Sequence, residues 1–145
     1  MAHVRQSIRD HIVSAVTGLS TTGANVFPSR VYPIAAGKMP GLAVYTLSEA
    51  IEAQTLRPPR GLVRVLEISI EAYVEGSTND DVLDNICAEV EAAVAADITR
   101  GGNAKDTILV SFEADYADGE RPLVVGRLTY QVTYSTAETN ATSAT

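Results

Sequence analysis

His3, His11 and Cys87 are the side chains of this sequence best suited to proton transfer, metal binding or nucleophilic attack, and their spacing brings no two of them together. His3 and His11 are eight residues apart, which on one helix is about 12 Å at ~1.5 Å per residue. That is too far to share a metal ion. His11 follows Ile8 by three positions, at the margin of an apolar helical stripe. It is either a general base or a boundary residue with a satisfied hydrogen bond, because a useful histidine pKa does not imply use. Cys87 adjoins Ile86 with no histidine nearby and reads as a buried, inert thiol. Asp80, Asp81 and Asp84 lack the glycine and closing glutamate of a calcium loop, and the electrostatics of a helix start accounts for them. The run Gly101-Gly102-Asn103-Ala104-Lys105 hints at a phosphate loop, but it follows a helix and precedes a strand, the reverse of what phosphate binding requires. The expectation is a chain without catalytic residues, cofactor or metal, which acts by assembling with other proteins.

Composition narrows the class further. At 145 residues the chain can bury a core without disulfides or metals. No apolar run approaches the roughly 18 residues that cross a bilayer, so no membrane partner is expected. The N-terminal MAHVRQSIRD is too charged for a secretory signal, and the single cysteine cannot form an internal disulfide; both favour a cytoplasmic start. A net charge of −7, with eleven dispersed Lys and Arg, argues against general nucleic-acid binding, which needs clustered cations.

The elements that would position any site follow from periodicity. Val4, Ile8, Ile12, Ala15, Val16 and Leu19 repeat at helical spacing and leave Arg5, Arg9, Asp10 and Ser14 for solvent. Val26 to Tyr32 is a short extended segment whose Pro28 suits a sheet edge. Leu42 to Leu47 is a second strand, Ser48 to Gly61 a polar connection, and Leu62 to Val74 a long strand with Arg64 as the one charge on its apolar face. Ser77 to Asp81 starts a second helix that continues to about Ile98, where Arg100 and Gly101-Gly102 close it. Thr107 to Tyr116 places Ile108, Val110, Phe112, Ala114 and Tyr116 on one face, and Leu123 to Ser135 follows across Asp118-Gly119, a hairpin signal. Residues 137–145 lack periodicity and read as a flexible tail beyond a single 1–136 domain. The fold class is α+β: a mainly antiparallel sheet of four or five strands with two helices on one face, in the order α-β-β-β-α-β-β.

Within the polar connection, Arg57-Pro58-Pro59-Arg60 combines restricted backbone freedom with two cations. It is either an arm for a partner's carboxylates or a solvated loop tip.

The order of these features resembles the tail terminator proteins of long-tailed bacteriophages, the family that includes minor tail protein U. The residues that carry the resemblance, over 2 to 136, are the opening helix, Val26-Phe27-Pro28-Ser29-Arg30-Val31-Tyr32-Pro33, Pro40-Gly41-Leu42-Ala43-Val44-Tyr45, Arg64, the Asp80, Asp81, Leu83, Asp84 helix start, and Leu128-Thr129-Tyr130-Gln131-Val132-Thr133-Tyr134. Their order carries the likeness; no single motif does. The resemblance implies a homohexameric ring in the virion, on the head-proximal end of the tail. The ring would stop polymerisation of the major tail tube protein, dock the head–tail connector and pass DNA through its lumen without specific binding. A closing ring needs unlike surfaces that meet head to tail. Sheet edges and long loops can supply them, which makes Pro28, Arg30, Arg57, Pro58, Pro59, Arg60, Asp118 and Gly119 the candidate interface residues. A head-completion or connector protein, a small enzyme built from loops and a ligand-binding module are the competing expectations.

Overall fold

The computed structural model describes residues 2–27, 40–75, 79–117 and 123–145. The elements are α1 (Val4–Val16), β1 (Val26–Phe27), β2 (Gly41–Ala53), β3 (Gly61–Glu75), α2 (Asn79–Ala95), β4 (Asp106–Ala117), β5 (Leu123–Ala137) and β6 (Asn140–Ala144). In α1 the buried residues are Val4, Ile8, Ile12 and Val16, one per turn. Each such side chain contributes about 1.5 to 3 kcal/mol when taken from water. The helix starts at His3, whose Nδ1 accepts from the Arg5 backbone N–H at 3.0 Å. It ends at Val16, before the Leu19 and Gly23 bridge, because Gly18 and Gly23 take positive φ angles that a helix cannot continue.

Among the described residues the sheet has six strands, in the order β1-β2-β3-β5-β4 with β6 added to β5. Every pairing is antiparallel except β1 with β2. The α+β class and the helix and strand order follow the sequence expectation, with one strand more. That strand is β6. Residues 137–145, expected to be a flexible tail, return beside β5 at Thr136 and Ala137, and Ala144 packs on the core. Backbone pairing and one small apolar residue hold a segment whose composition alone predicts disorder.

Both helices cover one face of the sheet. Leu66, Ile68, Ile70, Ala72 and Val74 of β3 lie on that face, beside Leu128, Tyr130, Val132 and Tyr134 of β5. α1 lies over β2 and touches β6, whereas α2 lies over β3, β5 and β4. Leu83 of α2 approaches β5 so closely that a Cβ on Gly126 would lie 2.6 Å from Leu83 Cδ1. A glycine there lets the helix seat itself.

Two strands depart from their expected form. β2 is not a six-residue strand followed by a loop; it runs on to Ala53, paired with β3 from Ser48↔Glu67 to Ala53↔Leu62. Leu47 is the extra residue of a bulge within it. Much of the expected connection is therefore an extension of the sheet, an arm in which β2 48–53 lies beside β3 62–67 and β3 61–67 beside β5 131–137, and its tip is residues 54–60. In β4 the register shifts between Leu109 and Ser111. Strict alternation fails at this bulge. Ile108 pairs with Gln131, away from the helices, while Phe112, Ala114 and Tyr116 stand opposite Leu128, Gly126 and Val124 on the helix face.

Candidate functional site

At the base of the arm, Glu49 of β2 gathers three donors. Arg5 Nη1 of α1 lies 2.8 Å from its Oε2, Arg64 Nη1 of β3 lies 2.9 Å from the same oxygen, and the Tyr134 hydroxyl of β5 donates to Oε1. Arg64 Nε also donates to Thr136 Oγ1 at 3.0 Å, and its guanidinium lies 5.9 Å from the centre of the Tyr134 ring. The one charge on the apolar face of β3 is thus paired, and α1, β2, β3 and β5 are tied at a single point. Arg5 and Arg9, expected to face solvent, turn onto β2 instead: Arg9 Nη1 reaches Thr46 Oγ1 at 3.2 Å. Long side chains of this kind lay their stems along apolar surface and carry the charge to a partner. Burial, then the Arg5 and Arg64 cations, hold the His3 pKa below that of an ordinary histidine, which suits a ring nitrogen acting as an acceptor. Burial and the bond to Glu49 keep the Tyr134 proton in place, pushing its pKa up.

The arm tip carries the Arg57-Pro58-Pro59-Arg60 segment, with Leu56 beside it 95% exposed. Arg57 is exposed and makes no ion pair among the described residues. Arg60 is tied down: its backbone N–H and its guanidinium, at 3.4 Å, both engage Glu138 in the β5–β6 turn. The tip therefore has a fixed root and a free cation. Of the remaining expected interface residues, Pro28, Arg30, Asp118 and Gly119 lie outside the described residues.

On the far side of the sheet β4 is an edge strand, and its helix-face residues project past α2. Phe112 is 46% and Tyr116 61% exposed. Between α2 and β4 runs a groove of about 320 Å³ lined by Cys87, Ala88, Leu109 and Phe112 and bordered by Asp84 and Glu91, and a second hollow of about 240 Å³ continues it past Glu91 toward Val94 and Ala95. Tyr116 donates to Asp80 Oδ1 at 2.8 Å, one turn beyond. Burial, with Glu91 and Asp84 adding to the effect, pushes the Cys87 thiol up to about 11. At neutral pH it is a thiol, a poor nucleophile.

The second histidine sits elsewhere. His11 Nε2 is 3.5 Å from Asp97 Oδ2, and its ring lies against Gly101, in the turn after α2. Asp97 also accepts from Thr99 Oγ1, Thr99 N and Gly101 N. α2 ends at Ala95 rather than near Ile98, and Arg100, fully buried at φ +51, folds its Nη2 back onto the carbonyls of Val94 and Asp97. This is the cation at the carbonyl end that the sequence suggests. Among the described residues no group of three His, Cys, Asp or Glu is gathered for a metal ion, and no helix is long and apolar enough to cross a membrane.

The Arg57-Pro58-Pro59-Arg60 segment was legible in the sequence as an arm or a loop tip, and the groove was not legible. The residues of β4 were legible as an apolar set, but their exposure depends on how far α2 covers that edge strand. No family model matches the chain, and no curated protein does. Among solved structures the chain is similar to one described as "Virion of native gene transfer agent (GTA) particle", with 17% identity and a TM-score of 0.33, over 90% of this chain and 92% of that one.

Proposed function

We propose that this chain is a structural subunit of a phage-like particle, a tail terminator that closes into a hexameric ring at the head-proximal end of the tail tube. In that place it halts addition of the major tail tube protein, presents a docking surface to the head–tail connector, and lets DNA through its lumen. The observation that supports this reading is the presence on one chain of an ordered tip between β2 and β3 and a partly exposed apolar surface at the β4 edge. A ring of identical subunits needs two unlike surfaces on one chain. The sequence order that resembles the terminator family supplies the specific assembly, and the net charge of −7 suits a wall past which DNA slides.

Native mass spectrometry and light scattering over rising concentration, together with electron microscopy of the protein added to purified tail tubes, test it. The expected result is a hexamer and rings at one end of each tube. A chain that stays monomeric and leaves tubes free to elongate would overturn the proposal; binding to filled heads rather than to tails would move it to the connector.

A further inference from the structure

We infer that the arm tip of one copy, through Leu56 and Arg57, docks in the α2–β4 groove of the next copy. This rests on the ring reading and names its interface. Leu56 is 95% exposed, so it does not occupy the groove of its own chain. Arg57 beside it lacks an ion-pair partner among the described residues. The groove offers the complement: an apolar floor at Leu109 and Phe112 and a carboxylate border at Asp84 and Glu91. A leucine followed by a cation fits an apolar slot with an acidic lip. An arginine fork can take a carboxylate in two parallel hydrogen bonds.

Geometry favours a second copy as the occupant. In the strand order β1-β2-β3-β5-β4 the β2–β3 tip is set apart from the β4 edge by β5. Each copy then has one arm to give and one groove to fill, a head-to-tail contact that closes where its rotation allows. The Arg60 to Glu138 contacts hold the root of the tip, so less freedom is lost on docking than a loose loop would lose. Self-association would bury the exposed apolar edge, which otherwise invites nonspecific pairing.

Sedimentation velocity of the purified chain over a wide concentration range tests this. Arg57→Glu should weaken self-association by about tenfold or more, the effect of a central interface charge. The Asp84→Lys/Glu91→Lys chain should weaken it comparably. Combining all three changes in one chain should restore assembly. A mixture of Leu56→Asp chains with Asp84→Lys/Glu91→Lys chains should stop at a heterodimer, since only one arm and one groove remain usable. Leu56 and Arg57 are exposed, so thermal melts of the arm variants should match the parent. If the arm variants assemble like the parent, or the charge reversal is not rescued, the docking is wrong while the ring reading stands. If the parent chain is monomeric throughout, the docking is wrong, and tube capping then decides the ring reading separately.

Discussion

Arg64 and Arg100 are both buried, yet they are accommodated in opposite ways. Arg64 projects from a strand whose backbone groups are already used in the sheet, so its charge needs a side-chain partner and finds Glu49 and Thr136. Arg100 follows a helix whose last carbonyls have no partners within the helix, and it needs no acid. It satisfies Val94 and Asp97 with one nitrogen, while its Nε and Nη1 have no partner among the described residues. Burial lowers its pKa. The difference extends to the adjacent tyrosines: the Tyr134 hydroxyl is bonded to Glu49, whereas the Tyr130 hydroxyl is buried without a partner among the described residues. The arm root is a completed network, and the α2 end is an incompletely satisfied cap. The first fixes the arm that the proposed interface uses; the second terminates the helix that borders its groove.

The largest way to break the contrast is Glu49→Ala. It leaves Arg64 buried and unpaired, and truncation of one partner in such a pair costs about 3 kcal/mol or more. Denaturant titration should show that loss, and Glu49→Ala combined with Arg64→Met should recover much of it, because no orphaned charge remains. Arg100→Ala should cost less, about 2 kcal/mol for the lost charge-assisted bonds to carbonyls. Arg100→Gly should be more stable than Arg100→Ala by ~1 kcal/mol, since glycine takes the positive φ without strain. If both arginine sites responded alike to loss of a nearby acid, the distinction between them would fail.

How much of this was readable beforehand depends on what each residue's role rests upon. The elements came from local spacing: α1 from Val4, Ile8, Ile12 and Val16, and β3 from its alternation. Arg64 was visible as an anomaly on an apolar face, and Arg100 as a cation at a helix end. The identity of the partner was not visible, because Glu49 sits in a stretch that reads as loop until β3 is laid beside it. The bulge in β4 was likewise hidden: an inserted residue keeps the apolar composition while changing which face each side chain takes. β6 gave no periodic signal, since it owes its order to the free edge of β5 and to contact with α1. Local pattern encodes elements; the junctions between them are encoded by pairs distant in sequence.

A smaller effect separates the tyrosines. Tyr134→Phe removes one of the donors to Glu49 and should cost about 1 kcal/mol, whereas Tyr130→Phe removes a hydroxyl with no partner and should be neutral or slightly stabilising. Alkaline titration followed by tyrosinate absorbance sharpens the point. Burial above all pushes Tyr130 up to about 12, above the ~10 of an unfolded tyrosine. A raised folded pKa means that its stability contribution is complete below pH ~10 and is lost as pH climbs through about 12. Tyr134, raised further by the same cause and by Glu49, should ionise only with unfolding.

The smallest expected effect lies at Asp97, where the turn after α2 meets His11. Its carboxylate is held down to about 2, first by Thr99 Oγ1, then by the backbone N–H groups of Gly101 and Thr99. A depressed folded pKa contributes stability above the unfolded value of ~3.9 and loses it as pH falls through about 2. Asp97 is partly exposed, so solvent screens it and the contribution is modest. Asp97→Asn should therefore flatten the acid limb of a stability-against-pH curve between those two pH values while leaving the Glu49 junction unchanged. If the acid limb is unaltered by the substitution, the hydrogen bonds to Thr99 and Gly101 do not stabilise the turn, and Arg100 alone terminates α2.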